Sequence, residues 1–133
     1  MIKRRSPQSS NDWRYHRGDI YLVNLNPRKG SEQGGTRPVL VLQNNDGNFF
    51  SPTLIVAPMT TQLKKRNQPT HVVFDRVPGL PETSMVSLEQ IDTIDKSRII
   101  SYIGRVTRKQ MAIVDEACLV SLGMTVPECV EAP

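Results

Sequence analysis

The chain has 133 residues, enough for one domain with a buried core and too few for two. Its 17 lysine and arginine residues outnumber 13 acidic residues and give a formal net charge of +4, which favours a polyanionic partner without identifying one. No apolar run reaches the roughly 18 residues of a membrane span, and none follows the basic amino terminus. We therefore expect no signal peptide, no membrane contact and a cytoplasmic location.

Residues 1–16 are expected to form a flexible basic extension, because residues 1–12 are polar and offer little apolar surface to bury. Beyond it, short apolar segments alternate with turns rich in glycine, proline, asparagine and aspartate, a pattern typical of β-strands. The predicted strands are residues 19–25, 38–43, 53–59, 70–74, 84–88 and 99–106. Their spacing predicts a small antiparallel barrel, with the segment NNDGN at 44–48 as a polar turn.

One helix is predicted after the last strand. Thr107 and Gln110 have the spacing of a capping box, and Gly123 is expected to end the helix. Helical spacing places four residues on its buried face, namely Met111, Val114, Cys118 and Leu122. The folded domain is therefore expected to span 17–123, and residues 124–133, which include Cys129, to form a loose tail.

The run GSEQGGTRPVLVLQ at 30–43 delivers one arginine directly onto an apolar strand. Gly34 and Gly35 carry no Cβ and let the backbone approach a ligand, while Pro38 restricts Arg37 to extended backbone. A guanidinium held at a strand entrance can bind two phosphate oxygens at once. The alternative is a surface arginine that pairs with a carboxylate.

Five segments follow one another along the chain: RGDIYLVNLNP, GSEQGGTRPVLVLQN, SPTLIVAPMTTQ, PTHVVF and SLEQIDTIDKSRI. Together they resemble the MazF/PemK family of toxin endoribonucleases over residues 17–122. The resemblance implies a mainly β fold with appended helices, in which an SH3-like antiparallel barrel carries the C-terminal helix, and a symmetric homodimer. It also implies a sequence-specific, metal-independent endoribonuclease of a type II toxin-antitoxin system, with single-stranded RNA as substrate, a MazE-like antitoxin as partner and no cofactor.

By the same resemblance, Arg37 corresponds to the family's catalytic arginine and Thr60, in PMTTQ, to its partner threonine. Without a metal, the substrate's own 2′-hydroxyl attacks the phosphate, and the protein must stabilise the developing oxyanion. Arg37 would supply charge, and Thr60 would donate a hydrogen bond to the same phosphate. Thr60 has the alternative of capping a turn, and Thr61 is the candidate if the strand register is shifted by one residue.

Polar residues of the loops are candidates for RNA binding, because amides and carboxylates can hydrogen-bond the unpaired bases of single-stranded RNA. The basic run 64–66 would add affinity for phosphates that weakens as salt rises. His71, a lone histidine in a strand, is interpreted as structural. The candidate RNA-binding residues are Ser31, Glu32, Gln33, Gly34, Gly35, Thr61, Gln62, Lys64, Glu89 and Gln90. Each has the alternative of being an ordinary polar surface residue.

No cluster of histidine, cysteine or carboxylate side chains at ligand spacing accompanies Arg37 and Thr60, so no metal is predicted. Two other functions are compatible with the fold: a non-enzymatic toxin that binds DNA gyrase, and an RNA-binding module without catalysis. The pairing of GGTRP with PMTTQ favours the ribonuclease. By resemblance, the blocks GSEQGG and LEQI point to a cleavage site similar to UACAU.

Overall fold

The computed structural model describes residues 15–27 and 34–126. The strands are β1 (Asp19–Asn24), β2 (Thr36–Val41), β3 (Thr53–Thr60), β4 (His71–Phe74), β5 (Ser84–Ser87), β6 (Asp92–Asp95) and β7 (Ile99–Arg105). The α-helices are α1 (Asn45–Phe50) and α2 (Arg108–Ser121), and short 3₁₀ helices occupy Leu88–Gln90 and Lys96–Arg98. None of the helices in the described part of the chain is long and apolar enough to cross a membrane.

Strand β3 is the centre of a seven-stranded antiparallel sheet with the order β4-β5-β3-β2-β1-β7. One edge of β3 pairs with β2, while β6 and β5 share the other edge in succession. Among the described strands the sheet is not closed, since β4 and β7 lie at its two ends. The predicted mainly antiparallel fold with a C-terminal helix is confirmed, and the SH3-like barrel stays a prediction.

The two faces of the sheet bury different clusters, because successive side chains of a strand point to opposite sides. One cluster contains Ile20, Leu40 and Met59 and packs against α2. The other contains Tyr21 and Val39 with their neighbours, and we call this side of the sheet the Tyr21 face. Both clusters lie on β1, β2 and β3, so these three strands are fixed from both sides.

Two segments for which no strand or helix was predicted form regular secondary structure, namely α1 and β6. The segment 44–48 was expected to be a polar turn, but most of it forms α1, whose first turn is capped by Asn44 Oδ1 accepting from the Gly47 N–H at 2.8 Å. Strand β6 was not predicted, because only Ile94 in the sequence DTID is buried and a single apolar residue gives no alternation. Its strand conformation comes from pairing with β3.

The capping box of α2 is confirmed in both directions. The Gln110 N–H donates to Thr107 Oγ1 at 3.1 Å, and the Thr107 N–H donates to Gln110 Oε1 at 2.8 Å. The prediction for the buried face is wrong at its end, since Leu122 follows the helix and is 64% exposed. Ala117 completes the buried stripe, and Cys118 packs at its margin, where burial raises the pKa of its thiol.

The expected extension at 1–16 and tail at 124–133 fall mostly outside the described residues, as does Cys129. At the start of the described chain, the carboxylate of Asp19 is 1% exposed and accepts hydrogen bonds from Arg105 Nε at 2.7 Å and from the Tyr21 hydroxyl at 2.8 Å. This network joins the start of β1 to the end of β7. It also gives the Arg105 cation a structural partner.

Candidate active site

Arg37 lies near the start of β2, opposite Val23 of β1, as the strand-entrance prediction required. Its Nε donates to the Gly34 carbonyl at 2.8 Å, and its Nη1 lies 3.5 Å from the Met59 carbonyl of β3. Its side chain is half-buried, and this burial lowers the pKa of the guanidinium. Within residues 15–27 and 34–126 no carboxylate pairs with it, unlike the arginines that pair with Asp19 and Asp115.

Pro38 explains why the Arg37 guanidinium can approach the Met59 carbonyl. The Leu42 N–H donates to the Ile55 carbonyl at 2.9 Å, so hydrogen bonds between β2 and β3 recur at alternate residues of β2. Because Val39 pairs with Pro58, position 38 lies opposite Met59. The alternation then requires the N–H of residue 38 as the donor to the Met59 carbonyl. Proline has no N–H, and the ladder ends there. The Met59 carbonyl therefore faces the cation of the preceding residue.

Thr60 ends β3 on the neighbouring strand. The register pairs Val39 with Pro58, and continuing it by two residues sets Thr60 opposite Arg37, so the two side chains lie on the Tyr21 face. Thr60 Oγ1 accepts a hydrogen bond from the Gln62 N–H at 3.1 Å. This bond is the turn-capping role expected as the alternative, and it leaves the hydroxyl hydrogen as a donor. Thr61 follows the strand and is exposed.

The loop that precedes Arg37 is closed at its base by hydrogen bonds. Asn26 Oδ1 accepts from the Gly35 N–H at 2.8 Å, and the Leu25 N–H donates to the Gly35 carbonyl at 2.9 Å. Arg98 Nη1 donates to the carbonyls of Asn24 and Asn26, which fixes the opposite side of the base. The path of the chain into Arg37 is thus set by β1 and by the 3₁₀ helix before β7.

Gly35 is needed for its backbone conformation rather than for close packing. Its φ is +77°, in the left-handed region, and a Cβ built there would meet nothing within 4 Å. Three of the predicted RNA-binding residues in this loop, Ser31, Glu32 and Gln33, lie outside the described residues.

The other predicted RNA-binding residues lie on two further segments. Thr61, Gln62 and Lys64 are exposed on the loop between β3 and β4. This loop, residues 61–70, is called the basic loop below, and part of it lines an open depression of about 500 Å³. Glu89 and Gln90 lie on the 3₁₀ helix that follows β5. Because β5 pairs with β3 at Thr60, the basic loop, which follows β3, and the 3₁₀ helix, which follows β5, both begin next to the edge that these two strands share.

Sequence reasoning missed the contact between the basic loop and Glu89. The His71 ring lies against the Glu89 carboxylate through Nε2, and its Nδ1 lies 2.7 Å from the Lys65 carbonyl. His71 is thus satisfied structurally, in agreement with its interpretation from the sequence. The partners could not be found from sequence, because Lys65 and Glu89 are joined to His71 only through a turn and the pairing of β4 with β5.

The sequence profile of a toxin family, described as PemK-like, MazF-like toxin of type II toxin-antitoxin system, matches residues 16–122. The chain belongs to this family. It is 50% identical to Endoribonuclease EndoA of Bacillus subtilis over 109 residues, which cover 81% of this chain and 94% of the relative.

Solved structures of similar proteins have the same fold. MazF (Form-I) from Deinococcus radiodurans matches with a TM-score of 0.74 at 26% identity, covering 85% of this chain and 100% of that one. A mycobacterial endoribonuclease in complex with its cognate antitoxin matches with a TM-score of 0.71 at 27% identity, covering 85% and 99%. The likeness extends over most of this chain, which contains the strands that position Arg37 and Thr60.

Replacing Gly35 with alanine tests whether the loop conformation positions Arg37. The left-handed φ of Gly35 is costly for alanine, so we expect a loss of about 1 kcal/mol in the free energy of unfolding and a fall in RNA cleavage. Gly123→Ala is a matched control, because Gly123 has a φ of +74° with nothing within 4 Å and lies after α2. Denaturant unfolding and cleavage of a defined RNA are measured for both. Equal cleavage by the two variants would contradict the positioning role.

Proposed function

We propose that this protein is the endoribonuclease toxin of a type II toxin-antitoxin system and cleaves single-stranded RNA at specific sequences without a metal ion. The observation that carries the proposal is the register of β2 with β3, which pairs Val39 with Pro58 and, continued by two residues, places the half-buried Arg37 opposite Thr60 at one end of the Tyr21 face. The likeness to EndoA over most of both chains supports the activity. The folded domain is proposed to span 17–123.

The reaction needs charge stabilisation at one phosphate and two proton transfers. The 2′-oxygen of the substrate attacks phosphorus and loses its proton, while the bond from phosphorus to the 5′-oxygen breaks and that oxygen gains a proton. The products are a 2′,3′-cyclic phosphate and a 5′-hydroxyl. Arg37 binds the phosphate oxygens as their negative charge grows, and the Thr60 hydroxyl donates to the same phosphate.

Arg37 acts in this proposal as an electrostatic stabiliser rather than as the proton carrier. An arginine side chain has a pKa above about 12, far from the value that suits general acid or base catalysis at neutral pH. Burial lowers the pKa of Arg37, but its contacts with the carbonyls of Gly34 and Met59 favour the protonated donor. Desolvation strengthens the attraction of the cation for phosphate, because the surrounding dielectric is lower than that of water.

RNA binding is assigned to the segments that border Arg37 and Thr60. Gln33, which precedes Arg37 in the sequence, and Gln90 of the 3₁₀ helix offer amides for unpaired bases, and the basic loop offers Lys64, Lys65 and Arg66 for phosphates. A UACAU-like site is the specificity we propose. The described residues contain no group of three or more histidine, cysteine or carboxylate side chains arranged to hold a metal ion.

The partners proposed are an antitoxin and a second copy of the chain. Solved structures of similar proteins include an endoribonuclease with its cognate antitoxin and MazE-MazF of Deinococcus radiodurans. We propose a MazE-like antitoxin that blocks the RNA channel, a symmetric homodimer built on the SH3-like arrangement of the family, and a cytoplasmic location. The antitoxin and the homodimer are proposed from membership of the family, and the cytoplasmic location stays a prediction from the sequence.

Replacing Arg37 with alanine should lower the cleavage rate roughly a hundred- to thousand-fold, the usual cost of removing one oxyanion-stabilising donor. The fold should persist, since Arg37 leaves no core cavity when truncated. Single-turnover cleavage of a long defined RNA measures the effect, with Arg108→Ala on the exposed start of α2 as the control for loss of one positive charge. Rapid cleavage by folded Arg37→Ala would refute the site.

Thr60→Ala and Thr61→Ala form a second test, since the two threonines are adjacent but only Thr60 lies opposite Arg37. We expect Thr60→Ala to lower kcat strongly and Thr61→Ala to leave it nearly unchanged. Rates at saturating RNA and circular dichroism spectra are measured for both variants. The reverse ranking would mean that the reacting phosphate lies on the other side of β3.

Cleavage should continue in excess EDTA and leave 2′,3′-cyclic phosphate or its hydrolysis product, a 3′-phosphate, with a 5′-hydroxyl. RNA with a 2′-O-methyl group at the cut position should resist, because it lacks the attacking hydroxyl. Mass spectrometry of the products and cleavage of DNA as a control complete the experiment. Activity that EDTA abolishes and magnesium restores, or a 5′-phosphate product, would overturn the mechanism.

A further inference from the structure

His71, the first residue of β4, joins two segments that border the candidate active site. Its side chain is 6% exposed, with the Nδ1 atom 2.7 Å from the Lys65 carbonyl and the Nε2 atom against the Glu89 carboxylate. Both partners accept hydrogen bonds. Both ring nitrogens therefore have a partner, and the ring bridges the Lys65 backbone and the Glu89 side chain.

The basic loop has a strained backbone at the point that His71 holds. Lys65 has a φ of +53°, in the left-handed region that is unfavourable for a residue with a side chain. Its carbonyl accepts from the Gln68 N–H at 3.0 Å as well as from His71, and the His71 N–H donates to the Gln68 carbonyl at 3.0 Å. Bonds to His71 thus offset the strain at Lys65.

The 3₁₀ helix that carries Glu89 is the fixed side of this contact. The Leu88 N–H donates to the Thr70 carbonyl at 2.8 Å, and the Leu88 carbonyl accepts from the Ser121 hydroxyl of α2 at 2.5 Å. The Leu88 side chain is fully buried. By contrast, Lys64, Lys65 and Arg66 are exposed on the loop. A bond between the two segments therefore restrains the loop rather than the helix.

We infer that His71 and Glu89 form a clamp that holds the basic loop in place for binding the phosphates of the substrate. Both are positioning residues, and Glu89 acts through His71 rather than by reading a base. This inference rests on the proposed ribonuclease function. With the clamp broken, Lys64 and Arg66 must be ordered at the moment of binding, which weakens affinity for RNA but does not alter Arg37 or Thr60.

Kinetics of His71→Ala, Glu89→Ala, Glu89→Gln and the double alanine variant test the clamp. We expect each single alanine variant to raise KM several-fold while kcat stays within about twofold of the unaltered protein. The double variant should have the same KM as either single variant, because the two side chains act through one contact. Glu89→Gln keeps a hydrogen-bond acceptor for His71, so its KM should lie between that of Glu89→Ala and that of the unaltered protein. The slope of log KM against log salt should flatten by about 0.7 for each phosphate that the loop no longer binds.

Loop restraint is read independently of RNA by limited trypsin digestion. Cleavage after Lys64, Lys65 and Arg66, followed by mass spectrometry, should be faster in both alanine variants than in the unaltered protein. Glu116→Ala, at an exposed acid on α2, is the control for loss of one negative charge. Unchanged digestion of the loop would overturn the clamp, and Glu89→Ala covers the case in which His71→Ala does not fold.

Failure of the clamp is distinguishable from failure of the proposed function. A new cleavage-site preference in Glu89→Ala, or effects of the two variants that add, would show that Glu89 contacts RNA directly and would overturn the inference. Loss of cleavage in Arg37→Ala with unchanged KM in His71→Ala would reject the clamp alone. Rapid cleavage by Arg37→Ala would reject the site, while the digestion result would still decide whether the loop is clamped.

Discussion

The missing hydrogen bond at Pro38 is the constraint on which the arrangement of the candidate active site depends. The register of β2 with β3, continued by two residues beyond Val39 and Pro58, brings Arg37 opposite Thr60, and the ladder stops because Pro38 has no N–H for the Met59 carbonyl. That carbonyl then faces the guanidinium, with Nη1 at 3.5 Å. A residue with an N–H at position 38 would donate to the Met59 carbonyl and compete with the guanidinium for it.

The central position of β3 in the sheet explains why this strand supplies Thr60, the second residue of the candidate active site. Three strands pair with β3, and its last residue, Thr60, is paired with Met85 of β5. Helix α2 covers the face that contains Met59 and Ile20, and the Tyr21 face keeps Arg37 and Thr60 at its margin. A packed core therefore fixes the strands, while the polar side chains lie where the strands end and a long substrate can reach them.

Charge pairing, rather than net charge, distinguishes Arg37. Arg17 pairs with Asp115, Arg105 with Asp19, and Arg98 donates to two backbone carbonyls, so these cations hold the fold together. Arg37 contacts only carbonyls among the described residues, which orient a guanidinium without neutralising it. This cation is the one that we propose to bind the phosphate of the substrate. The overall charge of +4 could not have made this distinction.

The sequence alone determined the elements whose signals are local. Strong alternation gave the principal strands, the spacing of Thr107 and Gln110 gave the start of α2, and the family segments singled out Arg37 and Thr60 as a pair. The tertiary structure decided what depends on partners distant in the chain. Strand β6 forms because β3 is beside it, and His71 meets Glu89 only because β4 pairs with β5. Such contacts leave no periodic trace in the sequence, because each is made by one side chain whose partner is chosen by packing.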